Sequence, residues 1–176
     1  MTWLVFVLLT VVSWGVYGVF LHTGSTGMAD PVNGRYKAFL FVGIAYFLVA
    51  ILGPLLMLVL SGANWDYPPK GMWWSLIAGV VGAIGAFGVL LALGKGGHPS
   101  VVMALVFSGA PVVNALVGFI QHPPKGGFGA ISPGFWLGIA LAAAGGYCVN
   151  KFKPAPAHPV KKPIAAVEQK VELPVR

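Results

Sequence analysis

The sequence predicts an all-α integral membrane protein, a bundle of five transmembrane helices followed by a disordered basic tail. Three observations lead there. Of 176 residues, 57% are hydrophobic and only 9% are charged, with a mean hydropathy of +0.85. Five apolar stretches free of acidic and basic side chains recur along the chain. Glycine supplies 25 residues, about twice the usual share, which in an apolar chain suggests close helix packing.

The same figures exclude other classes. A soluble domain carries about 25% charge, so 9% cannot cover a globular surface with solvated groups. That excludes a water-soluble enzyme or binding module, and the high hydrophobicity excludes intrinsic disorder. The net charge of +7 gathers largely in the tail, so no nucleic-acid partner is expected. A single cysteine, Cys148, leaves no intramolecular disulfide.

A spanning helix needs about 20 mostly apolar residues. The first candidate, residues 2–21, has no charge before Leu4 and a long apolar run, which argues for a retained helix rather than a cleaved signal peptide. The second covers 38–60 and the third 72–94. The fourth, 100–121, is separated from the third only by Lys95–Pro99, so the two should be antiparallel neighbours. The fifth, 134–150, is at the short limit for a span, and a helical hairpin stopping short of the far side is the alternative for it. The loops His22–Lys37, Ser61–Gly71 and His122–Pro133 carry glycine and proline and read as irregular breaks. Residues 151–176, rich in proline and lysine, read as a solvated tail.

Lysine and arginine set the orientation. With five spans the tail side holds Arg35, Lys37, Lys95, Lys151, Lys153, Lys161, Lys162, Lys170 and Arg176, against Lys70 and Lys125 opposite. The tail should be cytoplasmic and the N-terminus outside, in a cell (inner) membrane. Trp3, Trp65, Trp73, Trp74 and Trp136 then fall at the outer interface and only Trp14 lies deep, although aromatic belts occur at both faces.

Polar atoms in hydrocarbon need a partner or a wet cavity. Thr10, Ser13, Trp14 and Tyr17 lie within an arc of about 100° on the first helix. They form either the wall of a substrate cavity, with Trp14 for stacking and Tyr17 as a donor, or a helix–helix contact. In the fourth helix Ser108, Gly109, Ala110, Pro111 and Asn114 suggest a kinked segment: Pro111 frees the carbonyl of Phe107, and Asn114 lies about 60° from that face. This is either a neutral site for hydroxyls and amides of the kind broken helices provide, or an Asn bonded across helices. Gly53–Pro54 frees the Ala50 carbonyl and reads as a structural kink. Gly79, Gly82, Ala83 and Ala86 share one face of the third helix, and Gly138, Ala142 and Gly146 form an i, i+4, i+8 ladder on the fifth. Both patterns suit close backbone approach within a bundle or across a dimer.

The four acidic residues, Asp30, Asp66, Glu168 and Glu172, lie in loops or the tail, so no embedded carboxylate serves as a proton relay. The histidines, His22, His98, His122 and His158, form no i, i+3 or i, i+4 pair, and no metal site or cofactor is expected. The GKGG before His98 lacks the Walker spacing and reads as a turn. No nucleophile–base constellation appears, so no enzyme is expected.

The stretch ALGKGGHPSVVMALVFSGAPVVNALVGFI, the later PGFWLGIALAAAGGYCV and the early SWGVYG together resemble an EamA-type domain of the drug/metabolite transporter superfamily over about residues 2–150. Known full-length members carry ten helices as two five-helix halves of inverted topology, and this chain resembles one half. The resemblance implies that Trp14, Tyr17, Pro111 and Asn114 border a central cavity, and that the last helix supports packing. Two departures stand out. Gln121-His122-Pro123-Pro124 replaces the acidic residue often found after the fourth helix. The first helix also lacks the glutamate of the four-helix multidrug relatives, so the resemblance does not extend to proton-coupled export of lipophilic cations.

A single half needs a partner to rebuild transporter symmetry. The charge bias argues against dual insertion and for a separately encoded inverted half or a parallel homodimer. The expected function is a transporter subunit moving a small neutral or weakly polar metabolite by alternating access in the lipid bilayer. The alternative is a structural or accessory membrane subunit.

Overall fold

The computed structural model describes residues 2–154. About 80% of them are helical and no strand occurs among them. The helices are α1 (Trp3–Gly27), α2 (Gly34–Leu60), α3 (Pro69–Gly94), α4 (Pro99–Gln121) and α5 (Pro133–Lys151), with a short 3-10 turn at Phe128–Ala130. The first four are long and apolar enough to cross a membrane. The expected disordered tail falls almost wholly on residues 155–176, which lie outside the described residues.

Three helices start on a proline, at Pro69, Pro99 and Pro133. A missing N–H costs nothing in the first turn, and the fixed φ suits it. The largest departure from the sequence expectation is at the first turn. His22 to Gly27, expected to be irregular, continue α1. Hydroxyls there bond back onto the helix: Thr23 to the Val19 carbonyl at 3.0 Å, Ser25 to Leu21 at 2.8 Å and Thr26 to His22 at 3.1 Å. These residues satisfy themselves without leaving the helix.

The turn itself is built by Asp30. One carboxylate oxygen accepts from the backbone N–H of Val32 and Asn33, and the other from Lys37 Nζ at 2.7 Å. Lys37 and the two amides hold the Asp30 carboxyl down at about 2, well below its usual range.

Halfway along, α2 widens into a π-helical turn at Leu48–Leu52, directly before Gly53–Pro54. Pro54 offers no N–H to the Ala50 carbonyl, and a one-residue expansion of the turn accommodates that gap. Pro111 acts differently: α4 stays helical through it from Pro99 to Gln121.

The packed core lies at one end. Leu21, Ala38, Ala86, Val89, Leu90, Leu93, Val101 and Met103 are buried. They come from the end of α1, the start of α2, the end of α3 and the start of α4. Away from that end the helices part. The α2 segment beyond Phe47 packs closely on no other helix, and α5 packs only on α4.

Candidate functional site

Trp14 marks the crossing of α1 and α4. Its ring centroid lies 5.5 Å from that of Tyr17 and 6.4 Å, edge-on, from that of Phe107. Gly18, one turn beyond, is buried against the Met103 side chain; a Cβ there would stand 2.6 Å from Met103 Cγ. A glycine at the crossing is what lets the backbones come this close.

The residues singled out in the sequence divide around this crossing. Ser13 and Tyr17 line a cleft of about 350 Å³ between α1 and α2, with Phe20, Phe41 and Ala45. The Tyr17 hydroxyl is shut off from solvent and has no hydrogen-bond partner among the described residues. Pro111 and Asn114 line a separate cleft of about 520 Å³ between α4 and α5, with Phe119, His122, Phe135 and Ile139. Phe119 anchors the end of that cleft nearest the α4–α5 loop, its ring centroid 5.5 Å from Phe135, 5.8 Å from Trp136 and 6.2 Å from Phe128. Asn114 lines the second cleft, and Trp14 lines neither of the two.

Two hydroxyls of the set are occupied on their own helices. Thr10 donates to the Phe6 carbonyl at 2.9 Å and Ser108 to the Leu105 carbonyl at 3.1 Å. Ser108 also packs on Gly146, the one buried member of the α5 ladder; Gly138 meets nothing and Ala142 is exposed. On α3, Gly79 and Gly82 are likewise open, while Ala86 is fully buried. His98 sits in a plain turn, its Nδ1 2.8 Å from the Ser100 hydroxyl. Among the described residues no group of histidine, cysteine or acidic side chains could hold a metal.

Two recesses were not anticipated. The first, about 1040 Å³ and mostly apolar, runs between the distal half of α2 and the start of α3, past Ala50, Ile51, Tyr67, Trp73, Ser75 and Gly79. Its cause is the parting of those helices after the π-helical turn. The second, about 410 Å³, lies between the α1–α2 turn and the end of α3 and is lined by His22, Ser25, Thr26, Asp30, Arg35 and Gly94. Arg35 reaches from the first turn of α2 to donate to the Gly94 carbonyl at 3.3 Å. In sequence Arg35 carried only an orientation signal, because nothing local links it to a residue 59 positions away.

Comparison of the chain with protein-family models, with curated proteins and with solved structures finds no match.

Proposed function

We propose that this chain is a five-span membrane subunit that forms one half of a transporter for a small neutral or weakly polar metabolite. The observation that carries the proposal is the pair of clefts on either side of the Trp14–Phe107 contact. Each offers hydroxyl, amide or aromatic groups at the level of the apolar helices, and each is open on its outer side. A second half laid against them would turn two half-sites into an enclosed one, as transporter symmetry requires. Ser13 and Tyr17 of the first cleft, and Pro111, Asn114, Phe119, Phe135 and Ile139 of the second, also lie in the stretches that resemble one half of a drug/metabolite transporter.

Insertion in lipid accounts for the packing. Lipid tails are as apolar as leucine, so parted helices lose nothing by facing them. In water the same exposed faces would drive aggregation. The fifth span is α5, short but ended by Lys151, a residue suited to a headgroup interface. The contact of Arg35 with Gly94 brings the α1–α2 turn beside the end of α3, and with it Arg35, Lys37 and Lys95. The positive-inside rule makes that end cytoplasmic.

A second reading is favoured by the occupied Ser108 and the enclosed Tyr17: an accessory subunit whose polar residues only pack. Flux measurements separate the two. The chain, reconstituted with whatever partner co-purifies, should move members of a sugar and amino-acid panel across sealed vesicles. No flux of any member, with the chain fully inserted, would leave the accessory reading. A reporter fused after Arg176 should be active only in the cytoplasm.

A further inference from the structure

We propose that the recess between the α1–α2 turn and the end of α3 binds a phosphate group, with the Arg35 guanidinium as its main contact. Arg35 is half-buried. One of its N–H groups donates to the Gly94 carbonyl at 3.3 Å, and its Nε is closed off from solvent with no partner. Its Cζ lies 5.0 Å from the centroid of the Tyr36 ring, which fixes the plane of the fork. A guanidinium has five N–H donors in a rigid plane, and among the described residues only the Gly94 carbonyl accepts from them.

The charge around the recess favours an anion. Asp30 also lines it, but its carboxylate is paired with Lys37 at 2.7 Å, the one ion pair among the described residues. That pair is neutral overall, so Arg35 brings the uncompensated charge to the recess, with no acidic partner among the described residues. The Ser25 and Thr26 hydroxyls already donate to helical carbonyls, so they can only accept. Arg35 and the His22 ring are left as donors. A planar cationic fork beside a ring N–H donor suits a tetrahedral oxyanion, and arginine engages phosphate through paired hydrogen bonds.

Two sources carry that chemistry, a phospholipid headgroup and a free phosphate. The headgroup source rests on the proposed insertion, because only then does this end of α1 and α3 meet the interface, where basic pockets between helices take anionic headgroups.

The test uses the full chain in neutral detergent, titrated in parallel with dioleoyl phosphatidic acid, dioleoylglycerol and inorganic phosphate. Bound ligand is counted by native mass spectrometry. Saturable binding of phosphatidic acid with none of dioleoylglycerol is expected, and R35Q should weaken it about tenfold or more. R35K should recover part of that loss, because it keeps the charge without the fork. Because R35Q also removes a helix contact, G94A is the second variant. A Cβ there would stand 2.6 Å from Arg35 Nη1 and 2.8 Å from its Cδ, so it displaces the fork and leaves the charge. G94A should weaken binding as well, while K95Q, an equal charge loss outside the recess, should not.

Binding of inorganic phosphate by the parent and not by R35Q supports a site for free phosphate; binding of phosphatidic acid alone supports a headgroup site. Equal binding by the parent, R35Q and G94A overturns the proposal, as does binding of neither phosphate probe. Alkaline carbonate extraction of native membranes tests insertion separately. A chain released by carbonate defeats the membrane reading, and the inorganic phosphate titration still decides the site.

Discussion

Gly146 of α5 lies directly against Ser108 of α4: a Cβ placed on the glycine would come within 2.6 Å of the serine Cβ. α5 packs on α4 alone among the helices of the described residues, so its position depends on the α4–α5 contacts, this one included. The aromatic group around Phe119 and Trp136 at the opposite end of the pair supports it.

Replacing Gly146 with alanine should therefore destabilise the α4–α5 pair by about 1–3 kcal/mol, the usual range for overpacking. The same change at Gly138, where a Cβ would have nothing within 4 Å, should not destabilise the pair. Thermal unfolding in detergent, followed by tryptophan fluorescence from Trp136, checks both. Removing the serine hydroxymethyl with S108G should restore much of the loss in G146A. Equal effects at 138 and 146 would remove the distinction between them.

This pair also shows what could be read from the chain and what could not. The four long apolar helices were legible in outline, because a lipid-length apolar run is a local feature, but Pro69, Pro99 and Pro133 were expected in loops and instead open helices. The α3–α4 turn was legible because it too is a local feature. The packing faces were not. In segments apolar all round, no polar face opposes an apolar one, so periodicity does not say which side meets a neighbour. The ladder of Gly138, Ala142 and Gly146 reads as one seam, yet only Gly146 is buried. The residues from Thr23 to Thr26 look like a loop in sequence, because serine, threonine and glycine are turn formers. Their hydroxyls instead bond within α1. The candidate site was half legible: Ser13, Tyr17, Pro111 and Asn114 do line clefts, but which cleft each one lines depends on the α1–α4 crossing at Trp14.

Gly18 and Met103 give a second prediction at that crossing. A Cβ on Gly18 would press on the Met103 Cγ and Sδ, at 2.6 and 2.9 Å. Methionine is flexible and yields more readily than backbone. G18A should thus cost about 1 kcal/mol, at the low end of overpacking, whereas G18L should prevent the approach of α1 to α4. Pairing G18A with M103A should cost less than the two single changes added together, which a double-mutant cycle in detergent measures.

The α1–α2 turn should respond to acid in a defined window. The Asp30 carboxyl titrates at about 2 in the fold against an ordinary 3.8. A depressed carboxyl stabilises the fold fully above its unfolded value and loses that contribution as pH falls through the folded one. The turn should hold unchanged down to about pH 4 and loosen between about pH 4 and 2. D30N keeps an acceptor for the Val32 and Asn33 amides but gives up the pairing with Lys37, so it should flatten this response. Amide hydrogen exchange at Val32 and Asn33 over that range reads it. Equal responses in the parent and D30N would remove the assignment to Asp30.

The separation of the clefts makes a functional prediction that differs for Trp14 and Asn114. W14A removes the ring lodged between Tyr17 and Phe107 and so loosens the α1–α4 crossing as well as any stacking surface. It should lower flux and thermal stability together. Asn114 is exposed on the side of α4 facing α5, with no neighbour depending on it, so N114A should reduce flux and leave unfolding unchanged. N114Q, which keeps the carboxamide, should retain part of the activity. Flux in vesicles and unfolding in detergent, measured on the same preparations, check this pattern. If N114A transports as the parent does, the α4–α5 cleft is not part of the path, and the α1–α2 cleft with Ser13 and Tyr17 is the one left to probe.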